Sequence, residues 1–330
     1  MKVIIPLAGF GTRLRPHTFT KPKPLVSVAG KPVLGHILDK LVGLDPEELL
    51  FIVGYLGEQI RQYVSDNYDF GARYIEQKEL KGQAHALYLA KEYLSGPVLI
   101  IFVDTIFETD LSVLAREPSD GVIYVKEVED PRRFGVVITE NGRITRLVEK
   151  PTTSVSNLAV IGLYYIRDSR LLIQCIEELI AKDIKTQGEY FLADALQLMI
   201  DRGCHLVART VDVWEDCGKP ETVLHTNRYL LEHGGAQEVP VENSVLLPPV
   251  YIDKTAKISD SVVGPHVSVA AGAAILRSTI ADSIINENAH IENANLIHSI
   301  IGKDASVSGV SQRLNVGDSS QVDLAGNDYV

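Results

Sequence analysis

The chain has 330 residues, of which 45% are hydrophobic and 23% charged, and it carries a formal net charge of −11 at pH 7. This composition is ordinary for a folded globular protein, and the length allows two domains. Because nucleic acids and anionic membrane surfaces bind extended basic faces, the negative charge disfavours both as partners.

The spacing of the cysteines and the hydropathy of the chain indicate in which cellular compartment the protein is expected. Cys175, Cys204 and Cys217 lie at no metal-ligand spacing, and a chain of this size needs no disulfides to fold. No apolar run approaches the roughly 18 residues that span a bilayer, and no secretory signal is recognisable. We therefore expect a cytoplasmic protein that does not bind membranes.

The chain opens with a β-branched run that leads into a glycine loop and two basic residues. Residues 2–5 are typical of a buried parallel strand, and Gly9 and Gly11 follow. Glycines permit backbone angles and a close ligand approach that a Cβ would forbid, so successive N–H groups can face an anion. Arg13 and Lys23 would add positive charge. This order predicts a phosphate-binding loop, with a plain tight turn as the alternative.

Strand and helix patterns alternate through residues 2–235. Short apolar or β-branched runs predict strands at 2–5, 48–53, 72–76, 98–103, 122–125, 135–138, 144–148, 160–165 and 206–213. Helical spacing of apolar residues predicts helices at 33–42, 60–64, 84–94, 171–181, 191–202 and 224–231. Such alternation predicts a mostly parallel sheet covered by helices, with ligands at the carboxyl ends of its strands.

A different period begins after a polar segment at 232–238. From Ile252 onward an apolar residue recurs about every six positions, with short turns of small residues between. This period predicts a parallel β-helix, in which successive coils stack their aliphatic side chains. About three coils fit, which is near the minimum for a stable stack. We expect this segment to form contacts between subunits rather than to carry chemistry.

The glycine loop and its continuation carry the most specific signature in the chain. Residues 6–16 read P-L-A-G-F-G-T-R-L-R-P, and P-K-P-L at 22–25 and G-K-P at 30–32 follow. This order resembles the G-x-G-T-R-L-x-P … P-K-x-L … K-P signature of the sugar nucleotidyltransferases, or sugar-1-phosphate pyrophosphorylases. The resemblance implies that Arg13 stabilises the departing pyrophosphate and Lys23 the α-phosphate region. It implies nucleotide binding by the loop residues Leu7, Ala8, Gly9, Gly11 and Thr12.

A glutamine after a predicted strand is the candidate base reader. Gln77 follows the strand at 72–76, and G-Q-A-H-A at 82–86 opens the next helix. An amide both donates and accepts, so it can read the imide edge of uracil or thymine, although a solvated loop glutamine is the alternative. The order resembles the family's Q-x-x-x-x-G-x-A-x-A pocket, which implies that Gln77 and Gly82 select the base. We expect His85 on the helix surface.

Two carboxylates follow strand patterns at distant positions. Asp104 ends the apolar run at 98–103, where an aspartate either caps a turn or holds a metal. The sequence V-D-T-I-F at 103–107 resembles the family's G-D-N/T-x-F, and W-E-D-C-G-K-P-E at 214–221 resembles W-x-D-x-G-T-P-E. The resemblance implies that Asp104 and Asp216 bind Mg²⁺, a hard ion that keeps other positions for water and phosphate oxygens.

A third pair of motifs flanks a predicted hairpin. D-P-R-R-F-G-V-V at 130–137 precedes an Asn-Gly turn, and E-K-P at 149–151 follows it. A carboxylate could accept sugar hydroxyls while the adjacent lysine holds a phosphate, with a surface charge pair as the alternative. The motifs resemble the family's D-P-x-x-F/Y-G-V-V and E-K-P, which implies that Lys150 holds the incoming phosphate. The implied sugar contacts are Gly135, Glu149 and Val160.

These patterns and the resemblance together predict the fold class. We expect an α/β protein with a Rossmann-like mixed, mostly parallel sheet, the nucleotide-diphospho-sugar transferase fold, followed by a short left-handed parallel β-helix. The expected division is a catalytic domain at 1–235, a linker at 236–250, the β-helix at 251–310 and a polar tail at 311–330.

The implied activity is the transfer of a nucleotidyl group from a nucleoside triphosphate to a sugar 1-phosphate, with release of pyrophosphate. The sugar phosphate is already a nucleophile, so alignment and charge neutralisation suffice. We expect glucose 1-phosphate with dTTP or UTP as substrates, and a homo-oligomer. Mannose 1-phosphate with GTP is the second candidate pair.

This chain departs from the family pattern at two positions. Val103 replaces a glycine, and Lys219 replaces a threonine. Lys219 either adds a cation near the site or caps the helix that follows. The two departures motivate a second hypothesis, a catalytically weak sugar-nucleotide sensor or regulatory subunit.

Overall fold

A large β-sheet forms the centre of the first part of the molecule. The computed structural model describes residues 1–153 and 155–309, so the predicted tail at 311–330 lies outside them. Within these ranges the sheet has nine strands. In spatial order they are Ala72–Glu76, Leu49–Val53, Lys2–Pro6, Val98–Ile101, Leu158–Ile166, Gly121–Glu127, Leu206–Thr210, Arg143–Glu149 and Gly135–Glu140.

The sheet is mixed, as predicted: its first four strands in spatial order are parallel, and in the remainder only Leu206–Thr210 and Gly121–Glu127 form a parallel pair. Lys2–Pro6 pairs in parallel with Leu49–Val53 and with Val98–Ile101. Leu158–Ile166 runs antiparallel to Val98–Ile101 and also to Gly121–Glu127. The hairpin predicted at the Asn-Gly turn joins Gly135–Glu140 to Arg143–Glu149 as antiparallel neighbours, because a two-residue turn can join only antiparallel strands. The two halves meet along Val98–Ile101, next to the position where Asp104 follows.

Helices cover both faces of the sheet, because successive strand residues point to opposite sides. Val3 and Ile5 pack into one apolar cluster and Ile4 into another. The α-helices among the described residues are Val33–Val42, Gly57–Asn67, Gln83–Leu89, Ser169–Ala181, Leu192–Asp201 and Pro220–Leu230. In this part of the chain no helix is long and apolar enough to cross a membrane.

The extended run predicted at 206–213 is interrupted. Leu206–Thr210 joins the large sheet in parallel with Gly121–Glu127. Val213–Asp216 instead pairs antiparallel with Thr105–Glu108 in a separate two-stranded sheet. This small sheet, which the sequence patterns did not predict, connects two parts of the chain that each carry a candidate metal-binding aspartate.

A parallel β-helix follows, with three sheets of four strands each among the described residues. The first sheet contains Val245–Leu246, Val262–Val263, Thr279–Ala281 and Asn295–Ile297. The second contains Val250–Ile252, Val267–Val269, Ile284–Ile285 and Ile300–Ile301. The third contains Lys257–Ser259, Ala274–Leu276, His290–Glu292 and Ser306–Ser308. Aliphatic side chains fill its interior, as the six-residue period predicted.

The segment predicted as a linker at 236–250 belongs partly to this β-helix. Gln237 pairs with Tyr251 in a parallel bridge, and Val245–Leu246 pairs with Val262–Val263. The backbone groups at the open end of a coil stack need hydrogen-bond partners, and this segment supplies them. Terminal coils of a repeat stack are atypical in sequence, which explains why the six-residue period is not visible in the coil that includes Val245–Leu246.

A buried asparagine joins the β-helix to the catalytic part. The Asn227 side chain accepts hydrogen bonds from the Ala29 backbone N–H at 2.8 Å and from Ser268 Oγ at 2.6 Å. Its amide nitrogen donates to the His266 carbonyl at 3.2 Å. The β-helix is thereby held against the loop that follows Lys23.

Candidate active site

Two cavities lie side by side beyond the carboxyl ends of the parallel strands. The larger has a volume of about 500 Å³ and the smaller about 330 Å³. Gln83, Phe102 and Asp104 line both. The cavities therefore adjoin at Asp104, and together they can hold two ligand moieties that meet there.

The residues predicted from the sequence divide between the two cavities. The smaller cavity is lined by the predicted residues Leu7, Ala8, Gly9, Lys23, Gln77, Gly82 and Asp104. The larger is lined by the predicted residues Arg13, Asp104, Gly135, Glu149, Lys150, Val160 and Asp216. Gly11 and Thr12 line neither of them. The division separates the predicted nucleotide contacts from the predicted sugar contacts.

Gly11 shapes the glycine loop from behind. Its φ of +63° is one that L side chains rarely adopt, and a Cβ there would lie 2.9 Å from Cβ of Lys23. Its carbonyl accepts a hydrogen bond from Thr18 Oγ1 at 2.8 Å. Gly9, by contrast, has no neighbouring atom within 4 Å of the same position. Gly11 thus holds the loop against Lys23, and Gly9 leaves it open on the cavity side.

The two-stranded sheet brings the two aspartates together. Asp216 lies opposite Thr105 in its register, and the Cys217 N–H donates to the Asp104 carbonyl at 2.8 Å. The Gly218 N–H donates to Oδ1 of Asp216 at 2.9 Å, which orients that carboxylate. Residues more than a hundred positions apart in sequence therefore end in one place.

Asp104 is paired with a cation. Lys23 Nζ lies 3.1 Å from its Oδ2. Burial alone would raise the pKa of the Asp104 carboxyl, but Lys23, by its charge and its hydrogen bond, and Arg13, by its charge, together hold that pKa below its usual range. Asp104 is consequently ionised at neutral pH.

The donor set at this point fits a hard divalent cation. Carboxylate oxygens are its preferred protein ligands, and such an ion commonly takes one or two of them and keeps its other positions for water and phosphate oxygens. Asp104 and Asp216 supply that pair. Within residues 1–153 and 155–309, no group of three or more metal-ligating side chains occurs. These residues therefore form no zinc site built from three or more Cys, His or carboxylate side chains.

Arg13 lies beside Asp216. A Cβ at Gly218 would stand 2.8 Å from Oδ1 of Asp216 and 3.1 Å from a guanidinium nitrogen of Arg13. Gly218 therefore makes room for the guanidinium next to the carboxylate. Gly218 belongs to the W-x-D-x-G motif, so the sequence carried a signal for this position.

The candidate base reader has an unexpected neighbour. Gln77 is buried, and its backbone N–H donates to the Val53 carbonyl at 2.8 Å. Its side-chain Nε2 lies 3.3 Å from Nδ1 of His85. His85, expected on the helix surface, is half-buried and contacts Gln77. The first turn of the helix Gln83–Leu89 points it at the strand end.

Gly82 stands where no other residue fits. Its φ is +108°, and a Cβ would lie 2.5 Å from the Tyr190 carbonyl oxygen. That carbonyl accepts from the Ala84 N–H, and the Tyr190 N–H donates to the Lys81 carbonyl, so the Tyr190 backbone is held on both sides. The loop and the Tyr190 segment can touch only because residue 82 lacks a side chain.

Substituting Gly82 by alanine is expected to strain this contact. The expected loss in free energy of unfolding is about 1–3 kcal/mol, measured by urea denaturation, with a raised KM for the nucleotide. Gly43→Ala is the matched control, because φ there is −77° and nothing lies within 4 Å of the added Cβ. Equal stability of the two variants would contradict this reading.

The larger cavity is shaped by a hairpin register. Gly135 lies opposite Glu149 in the antiparallel pair, and a Cβ at 135 would stand 2.9 Å from the Glu149 Oε2 and 4.0 Å from Val160. The missing side chain leaves the carboxylate open to the cavity. Lys150 Nζ lies 3.8 Å from Glu149 Oε1 and 5.2 Å from the centroid of the Phe191 ring. The predicted sugar contacts are therefore neighbours.

Glu149 has an unusual electrostatic setting. Burial raises the pKa of its carboxyl above the usual range, and the charges of Asp194 and Glu189 act in the same direction. Lys150 opposes them without reversing the shift. The carboxylate is thus held in a place where a hydrogen-bond donor from a ligand would stabilise it.

Comparison with known proteins bears on this arrangement of cavities and charges. A family model described as Nucleotidyl transferase matches residues 2–233. The chain belongs to the nucleotidyl transferase family. The predicted fold and enzyme class are thereby confirmed. Members of this family generally use a divalent metal.

Two relatives of this nucleotidyl transferase align along nearly its whole length. The low-salt glycan biosynthesis nucleotidyltransferase Agl11 of Haloferax volcanii is 31% identical, over 98% of this chain and 100% of the relative. The glucose-1-phosphate thymidylyltransferase of Streptomyces antibioticus is also 31% identical, over 98% and 99%. A solved UDP-glucose pyrophosphorylase in complex with UDP-glucose superposes with a TM-score of 0.63 at 23% identity, covering 70% of this chain and 98% of that one. At this identity the likeness supports the fold.

The two departures from the family pattern are accommodated in this nucleotidyl transferase. Val103 is only 6% exposed and packs into the core at the edge of the smaller cavity, which stays open. Lys219 lines neither cavity. It precedes the helix Pro220–Leu230, and its N–H donates to Thr222 Oγ1 at 3.1 Å. Lys219 therefore occupies the N-cap position of this helix through its backbone, and its side chain makes no capping hydrogen bond.

Several residues of the larger cavity were not singled out from the sequence. Phe134 and Trp214 meet edge to face with ring centroids 5.0 Å apart, and the Phe102 N–H donates to the Gly162 carbonyl at 2.9 Å. An aromatic residue that lines a cavity is indistinguishable in sequence from one in the core. Trp214 had one signal, because it begins the W-x-D motif.

Proposed function

We propose that this enzyme joins the nucleotidyl group of dTTP or UTP to glucose 1-phosphate and releases pyrophosphate. The observation that carries the proposal is the pair of adjoining cavities that meet at Asp104. A phosphate oxygen of the sugar forms a new bond to the α-phosphorus, and the bond from that phosphorus to the bridging oxygen of the β-phosphate breaks. The charge on the leaving pyrophosphate must then be neutralised.

The smaller cavity is the proposed nucleotide site. Its polar side chain Gln77 matches the alternating donors and acceptors of a uracil or thymine edge. Gly82 lets the loop approach closely, and residues 7–9 supply backbone groups beside the phosphates. This assignment gives each predicted residue of the smaller cavity a chemical role.

The larger cavity is the proposed sugar phosphate site. Glu149 accepts hydrogen bonds from sugar hydroxyls, and Lys150 pairs with the incoming phosphate. The 3.8 Å between their charged groups is close enough for one ligand to engage both. Val160 and the aromatic residues of the cavity pack against the apolar side of the ring.

We propose that the cations and carboxylates near the junction of the two cavities neutralise the charge of the phosphates and bind the metal ion. Arg13 faces the departing pyrophosphate and Lys23 the α-phosphate. Asp104 and Asp216 hold a divalent ion, which we propose to be Mg²⁺ and which when bound neutralises charge on the triphosphate. Lys23, which pairs with Asp104 in this structure, is free to shift toward a phosphate when that ion is bound.

The substrate choice is supported by the relatives. The Streptomyces antibioticus protein is named for thymidylyl transfer to glucose 1-phosphate, and the solved structure of similar fold contains UDP-glucose.

Pyrophosphate release should be measured with Mg²⁺ for dTTP, UTP, GTP, ATP and CTP. Each is combined with the 1-phosphates of glucose, mannose, galactose and N-acetylglucosamine. Turnover with glucose 1-phosphate and dTTP or UTP is the expected result.

Two other outcomes would replace this proposal. Preference for GTP with mannose 1-phosphate would establish the guanylyltransferase alternative. No turnover with any pair, combined with measurable binding of nucleotide sugars, would favour the regulatory subunit that the departures at Val103 and Lys219 suggested.

The pH dependence of sugar phosphate use tests the role of Glu149. Because the pKa of Glu149 is raised, its side chain becomes protonated at a higher pH than that of an ordinary glutamate, whose pKa is about 4.3. We therefore expect kcat/KM for the sugar 1-phosphate to fall as pH drops through this raised pKa. The substrate phosphate itself titrates at about pH 6, so the profile must be divided by that of Glu149→Gln, which retains the phosphate effect alone. A ratio that stays flat with pH would contradict the role.

A further inference from the structure

The contact between Gln77 and His85 has a consequence for base selection. A glutamine amide has a donor end and an acceptor end of nearly the same shape, so a neighbouring group must decide which end faces a ligand. Gln77 is buried at the edge of the smaller cavity, and its Nε2 lies 3.3 Å from Nδ1 of His85. When Nδ1 of His85 carries no proton, it accepts one of the two Nε2 hydrogens, and Oε1 of Gln77 is left for the cavity.

The two kinds of pyrimidine edge differ at the atom that such an amide would meet. N3 of uracil and thymine carries a hydrogen and donates, whereas N3 of cytosine carries none and accepts. An acceptor oxygen therefore matches uracil or thymine, and it faces a second acceptor on cytosine. A site built to hydrogen-bond one partner rejects an analogue that leaves buried polar groups unpaired.

We propose that His85 is a positioning residue that sets the orientation of the Gln77 amide, and thereby the preference of this enzyme for a uracil or thymine nucleotide over a cytosine nucleotide. The inference rests on the proposed function, because it takes the smaller cavity as the base site. His85 does not itself touch the base. Its neutral Nδ1 accepts from Gln77, so the acceptor end of the amide faces the ligand.

Protonation of His85 would reverse this arrangement. An imidazolium Nδ1 donates, so the amide must turn over to present Oε1 to it, and Nε2 then faces the base. Burial lowers the pKa of His85, the charge of Lys81 acts in the same direction, and the charge of Glu79 opposes both. Lys81 and Glu79 belong to the loop before its helix. The net lowering keeps His85 neutral at physiological pH.

Three forms of the full-length protein test the proposal. They are the wild type, His85→Leu, which removes the hydrogen bond, and His85→Asn, whose amide replaces Nδ1 but does not titrate. Dissociation constants for UTP and CTP are measured by calorimetry without sugar phosphate, over a pH series from about 8 down to the lowest pH at which the protein stays folded, because the pKa of His85 lies below the ordinary histidine value of about 6.5. Because the two nucleotides share a triphosphate, titration of the phosphates cancels in the ratio of their constants.

The wild type is expected to bind UTP about tenfold or more tightly than CTP at the high end of the pH series, which is the effect of one well-placed hydrogen bond. The ratio should fall severalfold toward the low end of the series. In His85→Leu the ratio should be reduced throughout the series, and in His85→Asn it should not change with pH. If His85 had a merely structural role, its substitution would weaken the binding of UTP and CTP equally, and the ratio of their dissociation constants would not change.

The outcomes separate the two proposals. If UTP binds but the ratio and its pH dependence are the same in all three forms, the role of His85 is overturned while the proposed function stands. If neither nucleotide binds the wild type, both fail together. A ratio that responds to His85→Leu but not to pH would overturn the orienting mechanism.

Discussion

Asp104→Asn is expected to reduce kcat by a factor on the order of 10²–10³ or more, as is typical for removal of one transition-state charge contact. The substitution keeps the shape of the side chain but removes one of the two carboxylates that meet at the junction of the cavities. It also leaves Lys23, whose Nζ lies 3.1 Å from Asp104, without its charge partner. The assay is pyrophosphate release at saturating substrate, repeated over a range of Mg²⁺ concentrations.

The control for this substitution is Asp69→Asn, a surface change outside both cavities. The backbone bond from Cys217 to the Asp104 carbonyl is preserved in Asp104→Asn, so the small sheet should remain folded, and circular dichroism checks this. Activity within a few fold of wild type, at the same Mg²⁺ dependence, would remove Asp104 from the proposed metal site.

Arg13→Ala is expected to have an effect of similar size on kcat, on the order of 10²–10³. Its guanidinium stands beside Asp216, one of the two carboxylates near the junction of the cavities, and we propose that it neutralises charge on the leaving pyrophosphate. A contact made mainly in the transition state lowers kcat more than it raises KM. Arg13→Lys keeps a point charge but loses the planar fork, so an intermediate activity is expected.

Arg15→Ala is the matched control for Arg13. Arg15 lies on the same loop, but its guanidinium stacks over the Phe19 ring at 4.8 Å and it lines neither cavity. Its substitution should leave kcat nearly unchanged. If Arg13→Ala instead raised KM for the nucleotide with kcat intact, Arg13 would contribute uniform binding and not transition-state stabilisation.

Local patterns in the sequence predicted most of the elements correctly. Val33–Val42 forms the predicted helix because its apolar residues recur at helical spacing and face the core. Ala72–Glu76 forms the predicted strand. The helix predicted at 84–94 ends at Leu89, since element ends depend on capping and on contacts that spacing does not reveal.

The candidate site was predictable where one stretch of chain carries the chemistry. The glycine loop could be read as a phosphate-binding loop because Gly9, Gly11 and Arg13 are close in sequence. Gln77 could be proposed as a base reader because it ends a strand. His85 could not be linked to Gln77, because the contact depends on how the first helical turn meets that strand end.

What the sequence by itself determined is the set of groups, their order and the local structures that carry them, because these depend on neighbouring residues. Only the tertiary structure decided which groups meet. Asp104 and Asp216 adjoin through the pairing of Thr105–Glu108 with Val213–Asp216, and Glu149 opens to the cavity through its register with Gly135. Backbone pairing between distant segments has no local signature, since its partners are selected by burial and by hydrogen bonds across the whole sheet.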